Sequence, residues 1–239
     1  MSSVAAANWW QHSVAEAGVR AMDKHLSPDA TWEEVLASGH ADFARALSLT
    51  GLTTGDDRTV VEIGCGIGRM TAALAEHFGR VVGLDIAPAL LEEASARNKH
   101  AHVRFELADG SRVQPRSVSQ ADTVFSYEVF YYIAPPVVEQ YFQDVHRLLR
   151  PGGEFVFQLN LEPLRWTTRL SYFVRGVLHR FGVQHWRGWP TGPGFRRHAF
   201  AQIWVTRTLA EAGFEVVRVI SPQLRETWFV ARKPLSTAH

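Results

Sequence analysis

The stretch that decides the fold is VVEIGCGIGR, residues 60–69, where a short apolar run leads into three glycines at alternate positions and an arginine. A buried strand followed by a glycine-rich turn and a helix is typical of a site for a nucleotide-like ligand. In the dinucleotide fingerprint G-x-G-x-x-G the third glycine would stand at residue 69, where this chain has Arg69. The spacing therefore disfavours an NAD-dependent oxidoreductase, which remains only as an alternative.

The pattern around this stretch predicts a parallel sheet. Short apolar runs alternate with amphipathic segments, which indicates strands over 60–63, 81–84, 103–107, 123–126 and 154–158 and helices over 69–78, 87–96 and 136–149. Strands joined by helical crossovers form a doubly wound sheet that is covered on both faces. In such a sheet the ligand lies at the carboxyl ends of the strands, near the point where the strand order reverses.

The end of the chain predicts a different connection. A helix over 199–212 stops at Gly213, a strand over 214–220 follows, and the six residues SPQLRE lead into the apolar run TWFVAR. So short a connection cannot form a parallel crossover, so these two strands should make an antiparallel hairpin. The predicted fold class is therefore α/β: a doubly wound, mostly parallel seven-stranded sheet with a C-terminal antiparallel hairpin.

The N-terminal region reads as helical, with segments over 8–26, over 31–39 closing on Gly39, and over 40–49. The 239 residues are 46% hydrophobic and carry a net charge of +1, so no global field recruits DNA or other nucleic acid. The single cysteine, Cys65, excludes an internal disulfide framework and a multi-cysteine zinc cluster, and we predict no metal site. Without a leader pattern or a run of about 18 apolar residues, the sequence predicts a cytoplasmic protein with no transmembrane segment.

Five motifs, in order and spacing, resemble those of the class I S-adenosylmethionine-dependent methyltransferases. The resemblance covers residues 60–153 and extends more weakly to the terminal hairpin, which is a hallmark of that family. The motifs are VVEIGCGIGR, VVGLDIA, FELADGS, ADTVFSYEVFYYI and LLRPGGEF. The resemblance implies S-adenosyl-L-methionine as cofactor and S-adenosyl-L-homocysteine as product. It also implies an N-terminal helical cap over 1–55 and a methyltransferase domain over 56–239, with an acceptor lid inserted at 161–200.

The resemblance also assigns cofactor contacts. The glycine loop would pass the methionine part of the cofactor, Asp85 would bind the ribose hydroxyls, and Asp109 would accept from the adenine amino group. The full set it implies is Glu62, Gly64, Gly66, Gly68, Arg69, Asp85, Ile86, Ala108, Asp109, Gly110, Ser126 and Tyr127. For Arg69 two interpretations stay open: a guanidinium that pairs with the cofactor carboxylate, or a solvated residue on the first turn of a helix.

The family has no fixed catalytic residue, because methyl transfer needs mainly an aligned acceptor and a dry site. The candidates are Tyr127 and Glu128 after the fourth strand and His198 further on, with Glu128 alternatively a helix-start carboxylate and His198 a surface histidine. Cys65 lies inside the glycine loop, where packing alone calls for a small residue. The segment SYEVFYY lacks both the cysteine of cytosine-C5 methyltransferases and the Pro-Pro motif used on amino groups of adenine or glutamine.

The segment over 165–207 holds eight arginines and no acidic residue. Its first part predicts a basic amphipathic helix over 164–181, which could be a lid helix with its apolar face packed on the domain, part of a pocket for an apolar or anionic acceptor, or a membrane contact. We expect methylation of an oxygen or nitrogen of a small-molecule acceptor, anionic or aromatic. The chain has only three lysines beside many arginines, which hints at a GC-rich bacterial coding sequence. Such genomes hold many methyltransferases of secondary metabolism, so the acceptor is expected to be a secondary metabolite. The alternative is an RNA or protein methyltransferase that uses the arginines as a phosphate track. The oligomeric state stays open, a homodimer being one expectation.

Overall fold

The computed structural model describes residues 30–183, 185–187, 189–191 and 196–235. The predicted helix over 8–26 and part of the predicted lid lie outside these ranges. The helices are α1 (Trp32–Thr50), α2 (Arg69–Ala75), α3 (Pro88–Arg97), α4 (Pro135–Leu148), α5 (Trp166–Arg180) and α6 (Gln202–Glu211), with a 3₁₀ turn at Phe130–Tyr132. The strands are β1 (Gly55–Ile63), β2 (Phe78–Asp85), β3 (Val103–Leu107), β4 (Ala121–Ser126), β5 (Leu149–Leu159), β6 (His185–Trp186), β7 (Trp189–Pro190), β8 (Glu215–Gln223) and β9 (Glu226–Arg232).

Seven strands form one sheet in the order β3-β2-β1-β4-β5-β9-β8. The first five strands in this order run parallel, whereas β9 is antiparallel to both of its neighbours. The predicted seven-stranded sheet and its antiparallel hairpin are thus confirmed. The order reverses at β1, which pairs with β2 on one side and β4 on the other. The carboxyl ends of these three strands therefore form the crevice in which such folds bind ligands.

Two apolar cores lie on opposite faces of the sheet. Val60 belongs to the core beneath α1 and α2, and its neighbour Val61 belongs to the core beneath α4 and α6. Adjacent residues of a strand point to opposite faces, so a continuous apolar run such as that of β1 indicates burial on both sides. Both cores together anchor the loops that follow the strands at the carboxyl edge.

Gly39 does not end a helix, and the prediction that it does is wrong. Helix α1 runs without interruption from Trp32 to Thr50 and ends at Gly51. A Cβ atom on Gly39 would lie 2.3 Å from the carbonyl oxygen of Arg69. The residue is therefore a glycine because α1 and α2 approach each other closely at this point. This contact brings α1 over the start of α2, next to the glycine loop.

Several element ends also differ from the predictions. Helix α2 stops at Ala75 because Phe78 is already buried as the first residue of β2. Strand β5 begins at Leu149 and includes the segment RPGG, since Leu149 pairs with Ala121 and the amide of Gly152 donates to the carbonyl of Lys233. Strand β8 continues to residue 223 through its pairing with β9.

Helix α5 does not pack its apolar face on the domain, as expected for a lid helix, but exposes that face. Its large apolar side chains are exposed, with Trp166 at 73% and Phe173 at 69%, whereas Arg175 on the other side is only 4% exposed. The alternation of apolar and basic residues was sufficient to predict a helix, but it did not indicate which side contacts the protein. Among the described residues, no helix is both long enough and apolar enough to cross a membrane.

Candidate active site

The glycine loop connects β1 to α2. Gly64, Gly66 and Gly68 all have a positive φ, of 77°, 55° and 86°, which side chains with a Cβ rarely adopt. A Cβ on Gly64 would lie 2.3 Å from a methyl group of Val129, in the loop that follows β4. The three alternate glycines are therefore required both by the path of the backbone and by the close approach of the neighbouring loop.

Asp85, at the end of β2, fixes this loop. Its carboxylate accepts hydrogen bonds from the backbone amides of Gly66 at 2.9 Å and Ala87 at 3.0 Å. Burial raises the pKa of Asp85, while the amides that donate to it act in the opposite direction. A carboxylate has about four lone-pair positions, so it can still accept from the two hydroxyls of a ribose.

Glu62 is a second carboxyl group beneath the loop. It is 2% exposed, and the hydroxyl of Thr71 donates to it at 2.5 Å. Burial raises its pKa to about 7, because the interior disfavours the charged form. Asp85 thus occupies a backbone amide that would face a pyrophosphate in a dinucleotide-binding loop, and Glu62 lies buried just before that loop. This charge distribution favours a ligand with positive charge over a pyrophosphate.

The end of β3 carries the residues predicted to contact adenine. The amide of Ala108 donates to the carbonyl of Asp85 at 2.8 Å, so this segment is joined to the end of β2. Asp109 is exposed, and its Oδ1 accepts from the amides of Ser111 and Arg112 at 2.7 and 2.9 Å, which helps to hold the pKa of Asp109 below its usual value. Of the other two residues of this predicted set, Ile86 follows β2 and is half-buried, and Gly110 has a φ of 75°.

Arg69 is buried, so the interpretation as a solvated residue is wrong. It is 7% exposed, its Nη1 lies 2.6 Å from Oδ2 of Asp42 in α1, and its guanidinium lies 5.6 Å from the ring centre of Tyr127. The ion pair holds the start of α2 against α1, as expected from the close contact at Gly39. Pairing of Arg69 with the cofactor carboxylate stays a prediction.

The carboxyl end of β4 brings two predicted residues next to the loop. The hydroxyl of Ser126 is fully buried and donates to the carbonyl of Ile63 at 3.0 Å, which joins β4 to the end of β1. The ring of Tyr127 stacks on that of Trp228, with centroids 5.6 Å apart, and burial raises the pKa of Tyr127. The Ser126 hydroxyl is therefore used within the sheet, and Tyr127 is held by aromatic contacts.

Glu128 follows in a conformation that is unusual for its residue type. Its φ is 57°, in the left-handed region, where residues other than glycine are uncommon and where strain often marks a functional position. Its side chain is half-buried, and its negative charge contributes to raising the pKa of Tyr127, Tyr131 and Tyr132. The carboxylate thus lies among three phenol groups at the end of β4.

His198 reaches the same region from a distant part of the chain. Its backbone amide donates to the carbonyl of Tyr131 at 2.7 Å, and its half-buried imidazole has a pKa lowered by burial. The rings of Tyr131 and Tyr132 lie 4.3 Å apart, and burial raises the pKa of Tyr132 to about 12. The three predicted catalytic candidates, Tyr127, Glu128 and His198, are therefore all near the 3₁₀ turn.

Arg197 joins the segment after residue 195 to three other elements. Its Nη2 donates to Oδ1 of Asn160 at 3.0 Å, its backbone amide donates to the hydroxyl of Tyr172 at 3.1 Å, and its guanidinium lies 5.7 Å from the ring centre of Tyr131. The Nε atoms of Arg196 and Arg197 are buried without a hydrogen-bond partner among the described residues. Donor capacity for an anion therefore lies beside the tyrosine pair.

Sequence reasoning missed three residues that help to build this site: Asp42, Trp228 and Asn160. Asp42 pairs with Arg69 across 27 positions of the chain, and Trp228 comes from the terminal hairpin. Neither contact leaves a local pattern. Asn160 directly follows β5, where a polar residue at the carboxyl edge of the sheet is a signal that could have been used.

Comparison with known proteins finds similarity to methyltransferases. Residues 60–153 match a family model described as a methyltransferase domain. The chain is 33% identical over 116 residues to a protein of Saccharomyces cerevisiae named probable S-adenosylmethionine-dependent methyltransferase, covering 46% of this chain and 38% of that protein. It is 28% identical over 178 residues to a malonyl-[acyl-carrier protein] O-methyltransferase of Paenibacillus, covering 71% of this chain and 59% of the relative. The chain thus spans about half the length of these two relatives.

A solved structure supports the same fold over almost the whole length. The magnesium protoporphyrin IX methyltransferase of Synechocystis, with bound S-adenosylhomocysteine, superimposes with a TM-score of 0.63 at 16% identity. The superposition covers 95% of this chain and 97% of that one. Residues 60–153 thus form a methyltransferase domain, and this match, the β3-β2-β1-β4-β5-β9-β8 sheet and the glycine loop held by Asp85 support a class I S-adenosylmethionine-dependent methyltransferase, a family that uses S-adenosylmethionine as cofactor.

Proposed function

We propose that this protein transfers the methyl group of S-adenosylmethionine to an oxygen or nitrogen atom of a small-molecule acceptor that carries an anionic group. The observation that carries the proposal is the hydrogen bond from the Gly66 amide to the Asp85 carboxylate. A loop whose central amide is bound by a carboxylate suits a cationic ligand better than a pyrophosphate. Arg69, at the position of the third fingerprint glycine, disfavours the NAD-dependent alternative.

The side chains at the carboxyl edge match the parts of this cofactor. Asp85 has lone pairs for the ribose hydroxyls, and Asp109 can accept from an adenine amino group. The carboxylate of Asp85 provides negative charge near the loop, which complements a sulfonium and an ammonium group. Arg69, in its pair with Asp42, lies within the same region and could exchange one carboxylate partner for another.

When bound, S-adenosylmethionine supplies a methyl group on a sulfonium, whose sulfur leaves readily as the neutral thioether of S-adenosylhomocysteine. The protein then has to hold the acceptor in line and keep water out, and a base matters only if the acceptor must lose a proton. His198 suits that task because its lowered pKa leaves the imidazole neutral near pH 7. Glu128 is a second candidate base, held in its strained conformation among the tyrosines.

The acceptor side is defined by the tyrosine pair and the adjacent arginines. Arg197 lies over Tyr131, Arg196 lies 5.8 Å from the ring centre of Tyr172, and both guanidinium groups have a buried Nε atom without a partner among the described residues. Such groups fit a carboxylate or phosphate, while the phenol rings fit the adjoining part of the molecule. The names of the relatives point to different acceptors, so the arginines and not the relatives support an anionic one.

A screen with S-adenosylmethionine labelled in its methyl group tests this proposal. The pure protein is incubated with matched acceptors that differ in one feature, such as an aromatic hydroxyl compound with and without a carboxylate. We expect label in the product with the anionic member of each pair. Labelling of neutral acceptors alone would refute the anionic acceptor, and labelling of RNA or protein alone would favour the macromolecular alternative.

A further inference from the structure

Helix α5 presents an apolar face to its surroundings. Trp166, Leu170, Phe173 and Val177 are 73%, 51%, 69% and 39% exposed, and Phe181, directly after the helix, is 82% exposed. With 100° of rotation per residue, the five side chains fall within an arc of about 80°. Isolated exposed apolar residues are common on protein surfaces, but a contiguous row of large ones marks an interaction site.

The opposite side of α5 fixes the helix to the domain. Arg175, about 180° away from Trp166, is 4% exposed, and its guanidinium lies 5.8 Å from the ring centre of Tyr172. The hydroxyl of Tyr172 accepts from the amide of Arg197, which in turn binds Asn160 after β5. The apolar face is therefore held in a defined orientation by polar contacts on the far side of the helix.

Basic side chains line one edge of the apolar face. Arg165, Arg169 and Arg180 are exposed and fall between about 40° and 100° from Trp166 on the same side of the helix. Between Glu162 and Glu211 the sequence has no acidic residue. Beyond the opposite edge, Trp186 and Arg187 lie across a groove from Trp166 and Leu170, so the apolar and basic surface continues past the helix.

We propose that this face of α5 binds the surface of a membrane that contains anionic lipids. The helix would lie in the plane of the interface with Trp166, Leu170, Phe173, Val177 and Phe181 among the acyl chains and the arginines at the headgroups. An amphipathic helix with Trp, Phe and Leu on one side and Arg beside them binds in this way, through buried apolar area and attraction to anionic headgroups. This function does not depend on the identity of the methyl acceptor.

Charge favours a membrane over a second copy of the chain. In a twofold contact through this face, the arginine edge would lie near an arginine edge, with no acidic residue of the segment to compensate. RNA would pair its phosphates with the arginines, but it would leave the aliphatic side chains of Leu170 and Val177 without an apolar partner. An anionic bilayer satisfies both parts of the face at once.

Co-sedimentation of the full chain with lipid vesicles tests the proposal. We expect binding to phosphatidylcholine vesicles that contain about a quarter of phosphatidylglycerol, and much weaker binding to phosphatidylcholine alone. The variant Trp166→Ser/Phe173→Ser should bind at least about tenfold more weakly. Arg169→Glu/Arg180→Glu should lower the affinity for anionic vesicles at least about fivefold per substituted residue. Rising salt should also lower the vesicle affinity of the unmodified chain.

Two matched variants serve as controls. Leu235 is 75% exposed and lies beside Gly152 near the start of β5, at the opposite edge of the sheet, so Leu235→Ser should leave vesicle binding unchanged. Arg104 is exposed on the edge strand β3, so Arg104→Glu should lower binding far less than the paired substitutions in α5. Thermal unfolding measured beside each binding experiment shows that every variant is folded.

Three results would overturn the proposal. The first is no binding of the unmodified chain to anionic vesicles, including the case in which it binds RNA through Arg169 and Arg180. The second is a dimer that Trp166→Ser/Phe173→Ser dissociates, which would assign the face to a second copy. The third is a loss of thermal stability in that variant without vesicle binding by the parent, which would assign the face to a contact within the chain.

Discussion

The carboxylate of Asp85 lies 2.9 Å from the backbone amide of Gly66, so the end of β2 holds the centre of the glycine loop. The same carboxylate accepts from the amide of Ala87 at 3.0 Å, which fixes the turn into α3. One side chain thus joins the two segments between which the ribose of the cofactor is expected to lie. Its substitution should affect ligand binding more than the overall fold.

We expect Asp85→Asn to weaken the binding of S-adenosylhomocysteine by more than tenfold, because charge-assisted hydrogen bonds to the ribose contribute about 1.5 to 3 kcal/mol. Isothermal titration calorimetry measures the change. Asp57→Asn, which alters an exposed carboxylate at the start of β1, should leave the affinity as it is. Equal affinity of the Asp85 variant and the parent would show that the ribose does not contact this residue.

Glu62 should make the stability of the protein depend on pH. Its pKa of about 7 in the folded chain exceeds the ordinary value of 4.5, so the folded state binds the proton more tightly. The resulting stabilisation is complete below about pH 4.5 and is lost as the pH rises through 7, a change on the order of 3 kcal/mol. In urea unfolding, Glu62→Gln should remove this slope.

Whereas Glu62→Gln should remove the pH dependence of the unfolding free energy, Thr71→Val should raise the pKa of Glu62 further. The Thr71 hydroxyl donates to Glu62 and thereby favours the charged carboxylate. Its removal should extend the loss of unfolding free energy to higher pH. Parallel curves for the parent, Glu62→Gln and Thr71→Val between pH 4.5 and 8 would mean that Glu62 does not change its charge in this range.

A double-mutant cycle can separate two roles of Arg69. Because Arg69 is 7% exposed and bound to Asp42, we expect the Arg69→Met and Asp42→Asn substitutions to be coupled by about 1 to 3 kcal/mol in unfolding free energy. If Arg69 also binds the cofactor carboxylate, Arg69→Met should weaken S-adenosylhomocysteine binding clearly more than Asp42→Asn does. Equal effects of the two variants on binding would leave Arg69 with a structural role alone.

Arg196→Ala/Arg197→Ala should raise KM for the acceptor identified by the labelling screen by at least about tenfold, as expected for a charge-assisted pair with an anionic group. Binding of S-adenosylhomocysteine should not change, since both residues lie beside Tyr172 and Tyr131, on the proposed acceptor side. Arg104→Ala is the control with the same chemistry at a distant strand. An unchanged KM would rule out the arginines as the anion site.

The sheet could be predicted from sequence because each of its strands is a short apolar run bounded by turns or helices. The prediction failed where a contact between distant elements decides the structure. Gly39 resembles a helix end, but it serves the approach of α1 to Arg69. The observed ends of helices and strands differ from the predicted ones where a neighbouring strand continues the pairing, as at the RPGG segment of β5.

The site was predictable to the extent that it follows the strand ends. Asp85, Ser126, Tyr127 and Glu128 come directly after or at the end of parallel strands, and the structure brings them to one edge. The direction of α5 was not predictable, because an amphipathic pattern is the same whether its apolar side faces the core or its surroundings. Tyr172, on the same side of the helix as the buried Arg175, decides it through contacts with Arg196 and Arg197. The detailed cofactor contacts, the role in secondary metabolism and the cytoplasmic location stay predictions.

The most direct test of the central claim is calorimetric titration of the chain with S-adenosylhomocysteine and, separately, with NAD. The claim is that the glycine loop, held by Asp85 above Glu62, binds the methyl donor. It predicts a dissociation constant in the micromolar range or below for S-adenosylhomocysteine and no measurable heat with NAD. Binding of NAD without binding of S-adenosylhomocysteine would contradict it.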